Sequence, residues 1–142
     1  MGNAAVIYWS GTGNTEKMAN AVLEGLKGAG AEADLFEVGA ISAADAAAYG
    51  RLALGCPSMG DEVLEEDSFE PFYTELEGSI SGKPIALFGS YGWGDGAWMR
   101  DWSERCKGKG ANLVADGLIA NEEPDDGALA ECKALGEALA KA

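Results

Sequence analysis

The chain contains no histidine. That absence removes Cys/His zinc sites and both Ser-His and Cys-His nucleophiles. Hydrolytic chemistry is therefore disfavoured, and any chemistry falls to a bound cofactor. Cysteine is scarce as well. Cys56, Cys106 and Cys132 are odd in number, widely spaced and without a C-x-x-C pair, so they form neither a disulfide framework nor a zinc or redox motif. Cys132 falls on the apolar face of a terminal helix, where packing is its default role. Cations are few: 10 Lys and Arg stand against 24 Asp and Glu, a formal net charge of −14. Such a surface is repelled by nucleic acid and anionic membranes and attracted to basic protein surfaces, although charge of this size also serves solubility. There is no apolar run of membrane length, no basic leader, and no myristoylation signal, since Val6 stands where Ser or Thr is needed. A cytoplasmic location is expected. The length of 142 residues suits one domain, taken as 1–142, large enough for a substantial core.

What the sequence does have is concentrated at Ser10-Gly11-Thr12-Gly13-Asn14-Thr15. An apolar run, Ala4 to Trp9, precedes it and reads as a buried strand. A segment follows in which Met18, Ala19, Val22, Leu23 and Leu26 share one helical face. Strand, tight loop and helix in succession aim backbone N–H groups at one point, and the helix dipole adds to that field. Gly11 and Gly13 permit a close turn, while Ser10, Thr12, Asn14 and Thr15 add neutral donors. A phosphate monoester is the natural ligand. No Gly-Lys-Ser/Thr follows Gly11, so this is no Walker loop, and Glu16 occupies the third-glycine place of a dinucleotide fingerprint. Good capping residues in an ordinary strand-to-helix turn are the plainer alternative, but four hydroxyl or amide side chains in six residues exceed what capping requires.

The rest of the chain alternates. Strands are expected at 33–38, 51–56, 84–89 and 112–120, the last bent at Gly117. Helices are expected at Ser42 to Ala48, Ser68 to Leu76, Ala97 to Gly108, and from Asp125 or Asp126 to the C-terminus. This pattern predicts an α/β fold: a single doubly wound five-stranded parallel sheet with helices on both faces. Ligands bind such sheets beyond the carboxyl ends of the strands, at the switch point. Three unusual loops meet there. The second, Pro57-Ser58-Met59-Gly60-Asp61-Glu62, offers a polarizable thioether, a flexible peptide after Gly60 and a carboxylate acceptor. The third, Ser90-Tyr91-Gly92-Trp93-Gly94, frees an indole to lie flat on a ring. Asn121, opening the loop after the last strand, is counted with them. A phosphate, a planar ring with donors and acceptors, and a flexible peptide at its edge together describe FMN.

The residues Tyr8 to Glu16, Gly55 to Glu62 and Phe88 to Gly94 make the chain resemble a short-chain flavodoxin of the clostridial and anaerobic-coccus type, with the likeness running from Ala4 to the C-terminus. That resemblance implies the strand order 2-1-3-4-5, a property of the family. It implies non-covalent FMN and low-potential one-electron transfer between partner proteins, not enzymatic turnover. It also implies that the peptide at Gly60 turns on reduction so that its carbonyl accepts from flavin N5–H, that Glu62 bonds flavin N3–H, and that Trp93 stacks on the ring. In one departure, Pro57 takes the place where some relatives have a Ser that reaches the phosphate, and whether Ser58 makes that contact stays open. Asp61, Glu62, Glu65, Glu66, Asp67 and Glu70 crowd one segment beside the expected flavin and suggest docking to basic-surfaced redox proteins, reductases or low-potential oxidoreductases, by a monomer. The rival reading is an FMN-dependent NAD(P)H:quinone-type reductase, for which the sequence offers no nicotinamide site.

Overall fold

A computed structural model describes residues 3–60 and 62–142. The first apolar run forms β1 (Ala4–Tyr8), buried along its whole length, and passes into α1 (Asn14–Gly28). β2 (Ala33–Glu37), α2 (Ala43–Ala47) and β3 (Arg51–Gly55) follow. Ser42 caps α2 by accepting from the Asp45 N–H at 3.1 Å. α3 (Phe69–Leu76) carries Pro71 in its first turn, where the missing N–H has no intrahelical partner to lose. A 3-10 turn (Glu77–Ser79) leads to β4 (Pro84–Tyr91) and α4 (Ala97–Gly108). α5 (Asp126–Lys141) closes the chain, capped by Asp125, whose Oδ1 accepts from the Ala128 N–H at 2.8 Å.

The strands pair in parallel in the order 2-1-3-4-5, as the resemblance implied. The fifth position differs from expectation. Two short segments fill it, β5 (Asn112–Leu113) and β6 (Leu118–Asn121), and both pair with β4. The break falls where Gly117 meets α4: a Cβ there would lie 2.4 Å from Met99 Cγ and Sδ, so the chain bends at a residue only glycine can supply.

Alternation along the central strands feeds two cores, one on each face of the sheet. Ile7, Leu52, Leu54, Ile85 and Leu87 pack toward α2, α3 and α4, where Phe69, Tyr73, Trp98 and Trp102 are buried. Val6, Ala53, Ala86 and Phe88 pack toward Met18, Val22 and Leu26 of α1 and Leu135 and Leu139 of α5. Both faces are thus covered, and the carboxyl ends of β1, β3 and β4 emerge side by side at one rim.

Candidate cofactor site

At that rim lies a cleft of about 420 Å³. Trp9, Ser10, Gly11, Thr12, Asn14 and Thr15 line it from the first loop, Pro57, Ser58 and Met59 from the second, and Ser90, Tyr91 and Gly92 from the third; Glu122, after β6, completes it. The three loops singled out in the sequence therefore converge. Of the residues assigned to the site, Gly13, Gly60, Glu62, Trp93, Gly94 and Asn121 stand outside this lining, and Asp61 lies outside the described residues.

The first loop is built by its own hydroxyls. Gly13, at φ +93°, takes the left-handed turn that starts α1. Ser10 Oγ accepts from the N–H groups of Gly13 at 3.1 Å and Glu16 at 3.3 Å. Thr12 Oγ1 accepts from the Asn14 N–H at 3.4 Å. Thr15 turns inward: it is buried, and its Oγ1 lies 3.1 Å from Ser90 Oγ, which ties this loop to the end of β4. The Trp9 indole lies over Gly11, where a Cβ would come within 3.0 Å of it. Lys17, the one base in the segment, is paired with Glu123. That pairing lowers the pKa of Glu123. Glu122 is the one charged side chain among the described lining residues, and its backbone is left-handed at φ +54°.

The second loop is a closed turn. Met59 and Val63 exchange two backbone hydrogen bonds, each 2.9 Å, and Gly60 between them has φ +51°. Ser58 N–H donates to Ser90 O at 3.0 Å, joining this loop to β4. The carboxylate of Glu62 points to α4. Its Oε1 accepts from the N–H groups of Gly96 at 3.2 Å and Ala97 at 3.0 Å, capping that helix. A Cβ on Gly94 would lie 2.4 Å from Glu62 Cδ, so glycine is required for this approach. Glu62 thus laces the second loop to the third.

The acidic run after it is only partly available for docking. Glu65 is buried, and its carboxylate accepts three N–H groups at the start of α3: Asp67 at 2.9 Å, and Ser68 and Phe69 at 2.8 Å. Glu70 forms a bidentate pair with Arg105 at 2.7 and 2.9 Å, which lowers its pKa. Arg105 also reaches Glu77 at 3.4 Å and lies 4.8 Å from the Tyr73 ring centroid. Glu66 and Asp67 remain exposed.

In the third loop Tyr91 packs 5.7 Å from Trp98, whose Nε1 donates to Cys56 O at 3.1 Å. Burial pushes the Cys56 thiol up to about 12, so it stays protonated beside the cleft. Trp93 is 61% exposed. Asn121 turns aside, its Nδ2 donating to Tyr91 O at 3.4 Å, while Glu122 N–H takes the same carbonyl at 2.7 Å. Trp9 and Glu122 were not counted among the site residues. Trp9 had a signal, as an aromatic residue next to the loop on the end of a strand; Glu122 had none.

FMN fits these residues by their chemistry: hydroxyl and amide groups and a helix N-terminus at one end of the cleft, a thioether and an aromatic at the other. A family model for flavodoxins matches residues 6–136. Flavodoxin from Clostridium beijerinckii is 48% identical over 95% of this chain and 97% of its own. Flavodoxin from Megasphaera elsdenii is 46% identical over 96% and 98%. The solution structure of two-electron reduced Megasphaera elsdenii flavodoxin matches with a TM-score of 0.90 over 98% of this chain and 99% of that one. Fold and cleft together are those of the α/β class of proteins that bind ligands beyond the carboxyl ends of a parallel sheet, at its switch point. The chain belongs to the flavodoxin family. It is an FMN-binding electron carrier that serves redox partner proteins and is not an enzyme.

Proposed function

We propose that the phosphate of FMN is held by the loop Ser10 to Thr15 and the N-terminus of α1, and its ring between the second and third loops. Bound there, FMN supplies the electron storage that the side chains lack. Thr12 and Asn14 donate to the phosphate, while Ser10 and Thr15 hold the loop in shape. Met59 and Tyr91 flank the ring, Trp93 covers it from the solvent side, and Glu62 offers Oε2, the oxygen its bonds to α4 do not use, to a ring N–H. The observation that carries this reading is the neutral, donor-rich end of the cleft beneath the first turn of α1. A dianion is bound there by dipoles, with Lys17 turned to Glu123.

The protein acts as a cytoplasmic monomer whose partners present basic surfaces to its acidic rim. Among the described residues no helix is long and apolar enough to cross a membrane. Glu66 and Asp67, exposed at the end of the second loop, are the charges that steer encounter. Stopped-flow electron transfer from a ferredoxin–NADP reductase across a salt series tests this. Glu66→Gln with Asp67→Asn should slow the second-order rate at low salt and flatten its salt dependence. An unchanged slope assigns docking elsewhere. Sustained turnover of NADPH with a quinone by the isolated protein would contradict the carrier role.

A further inference from the structure

Glu16 stands where its carboxylate can close the phosphate loop on itself. It is the third residue of α1, and Gly13 is the N-cap. A glutamate at that position folds back, in a capping box, to accept from the N-cap N–H. In this loop that N–H lies at the edge of the anion cradle and is held by Ser10 Oγ. A carboxylate bound there would place fixed negative charge in the field that a phosphate needs.

The carboxylate lies elsewhere. Tyr8 Oη donates to Glu16 Oε2 at 2.9 Å, and Glu37 Oε1 lies 3.4 Å from the same hydroxyl. The Gly13 N–H is given to Ser10 Oγ, a neutral acceptor. Tyr8 ends β1 opposite Glu37 in the strand register, and it is 4% exposed in the core beneath α1. Its ring is therefore fixed, and its hydroxyl emerges on the β2 side of the loop. Burial first, then Glu16 and Glu37, hold the phenol proton far above its usual range, so the hydroxyl remains a donor. Two like charges are brought to one hydroxyl at the edge of the sheet. Packing alone does not require this, because phenylalanine would fill the same volume.

Resting on the assignment of the FMN phosphate to Ser10 through Thr15, we propose that Tyr8 is a positioning residue: it withholds the Glu16 carboxylate from the N-terminus of α1 and so keeps the loop open to a phosphate dianion. Without the hydroxyl, Glu37 repels Glu16 and the positive end of α1 attracts it. The neighbouring cation does not compensate, because Lys17 is engaged by Glu123.

Affinities of the apoprotein for FMN and for riboflavin, which lacks the phosphate, test the proposal. Tyr8→Phe should weaken FMN binding about tenfold and leave riboflavin binding unchanged. Adding Glu16→Ala should return FMN affinity to within about twofold of the wild type, as rescue by removal of the competing group requires. Wild-type FMN affinity in Tyr8→Phe, an equal loss for riboflavin, or no rescue in the double variant each overturns it. If Tyr8→Phe does not fold, Glu16→Ala alone decides: it should bind FMN at least as tightly as the wild type, and a weaker affinity overturns the proposal. Failure of the underlying assignment shows separately, as a wild-type apoprotein that binds FMN no tighter than riboflavin.

Discussion

Replacing Glu65 by alanine should cost far more than removing a charge from an acidic surface. The Glu65 carboxylate receives the N–H groups of Asp67, Ser68 and Phe69, and the N-cap residue Ser68 makes no side-chain cap of its own. Water can take over at Asp67 and Ser68, whose backbone bonds are part-buried, but the bond to Phe69 N–H is buried. Loss of the cap is worth about 1 kcal/mol, and a stranded buried N–H about 2 kcal/mol more. A total near 3 kcal/mol lowers Tm by about 10 °C for a domain of this size. Glu65→Gln, which keeps one amide oxygen as acceptor, should recover about half of it. Urea unfolding of the apoprotein, with a thermal melt as a second probe, measures both variants. A change within about 0.5 kcal/mol, as for a solvated surface charge, would mean that the Glu65 carboxylate does not cap α3.

Glu70 is held below the ordinary carboxylate range by Arg105, so the stability it contributes is complete above about pH 4.3, the unperturbed value, and is lost as pH falls through its lowered folded value. Glu70→Gln should therefore reduce stability at neutral pH, by about 1 kcal/mol given the partial exposure of the pair, and flatten the acid limb of a stability–pH curve. Gly136 meets α1 so closely that a Cβ would lie 2.1 Å from Val22 O; Gly136→Ala should destabilise by about 2 kcal/mol in urea unfolding as the helices are forced apart.

The frame of the molecule was legible because its signals are local. The apolar runs at Ala4 to Trp9 and Pro84 to Gly89 could only be buried strands, and the loop between Ser10 and Thr15 carries its donors in consecutive residues. The caps Ser42 and Asp125 stand where their helices begin. What escaped reading depends on contacts across the chain. Glu62, Glu65 and Glu70 belong to one acidic run, yet Glu62 caps α4, Glu65 caps α3, and Glu70 meets Arg105 thirty-five residues away. Nothing in a run of carboxylates reveals that two helix N-termini and a guanidinium will be folded over it. The bend of the fifth strand at Gly117 was legible, but its division into two segments was not, since Gly117 packs against Met99 on another helix. Thr15, a cradle residue by its neighbours in sequence, lines the cleft and also brings its hydroxyl to 3.1 Å from Ser90 Oγ, a contact across the chain.

The resemblance reached further than the local signals, because it brought the strand order with it. It could not supply the individual bonds. Asn121 illustrates the limit: its position at the end of β6 borders the cleft, but its amide turns to Tyr91 O and leaves Glu122 at the lining.

The cleft between Ser10, Met59 and Tyr91 is proposed to hold FMN. Absorption of the purified protein, followed by mass analysis of the cofactor released on denaturation, tests it most directly. The purified protein should be yellow and carry one FMN per chain, removable without breaking a covalent bond. Stoichiometric FAD, or a colourless protein that fails to take up added FMN, would contradict it.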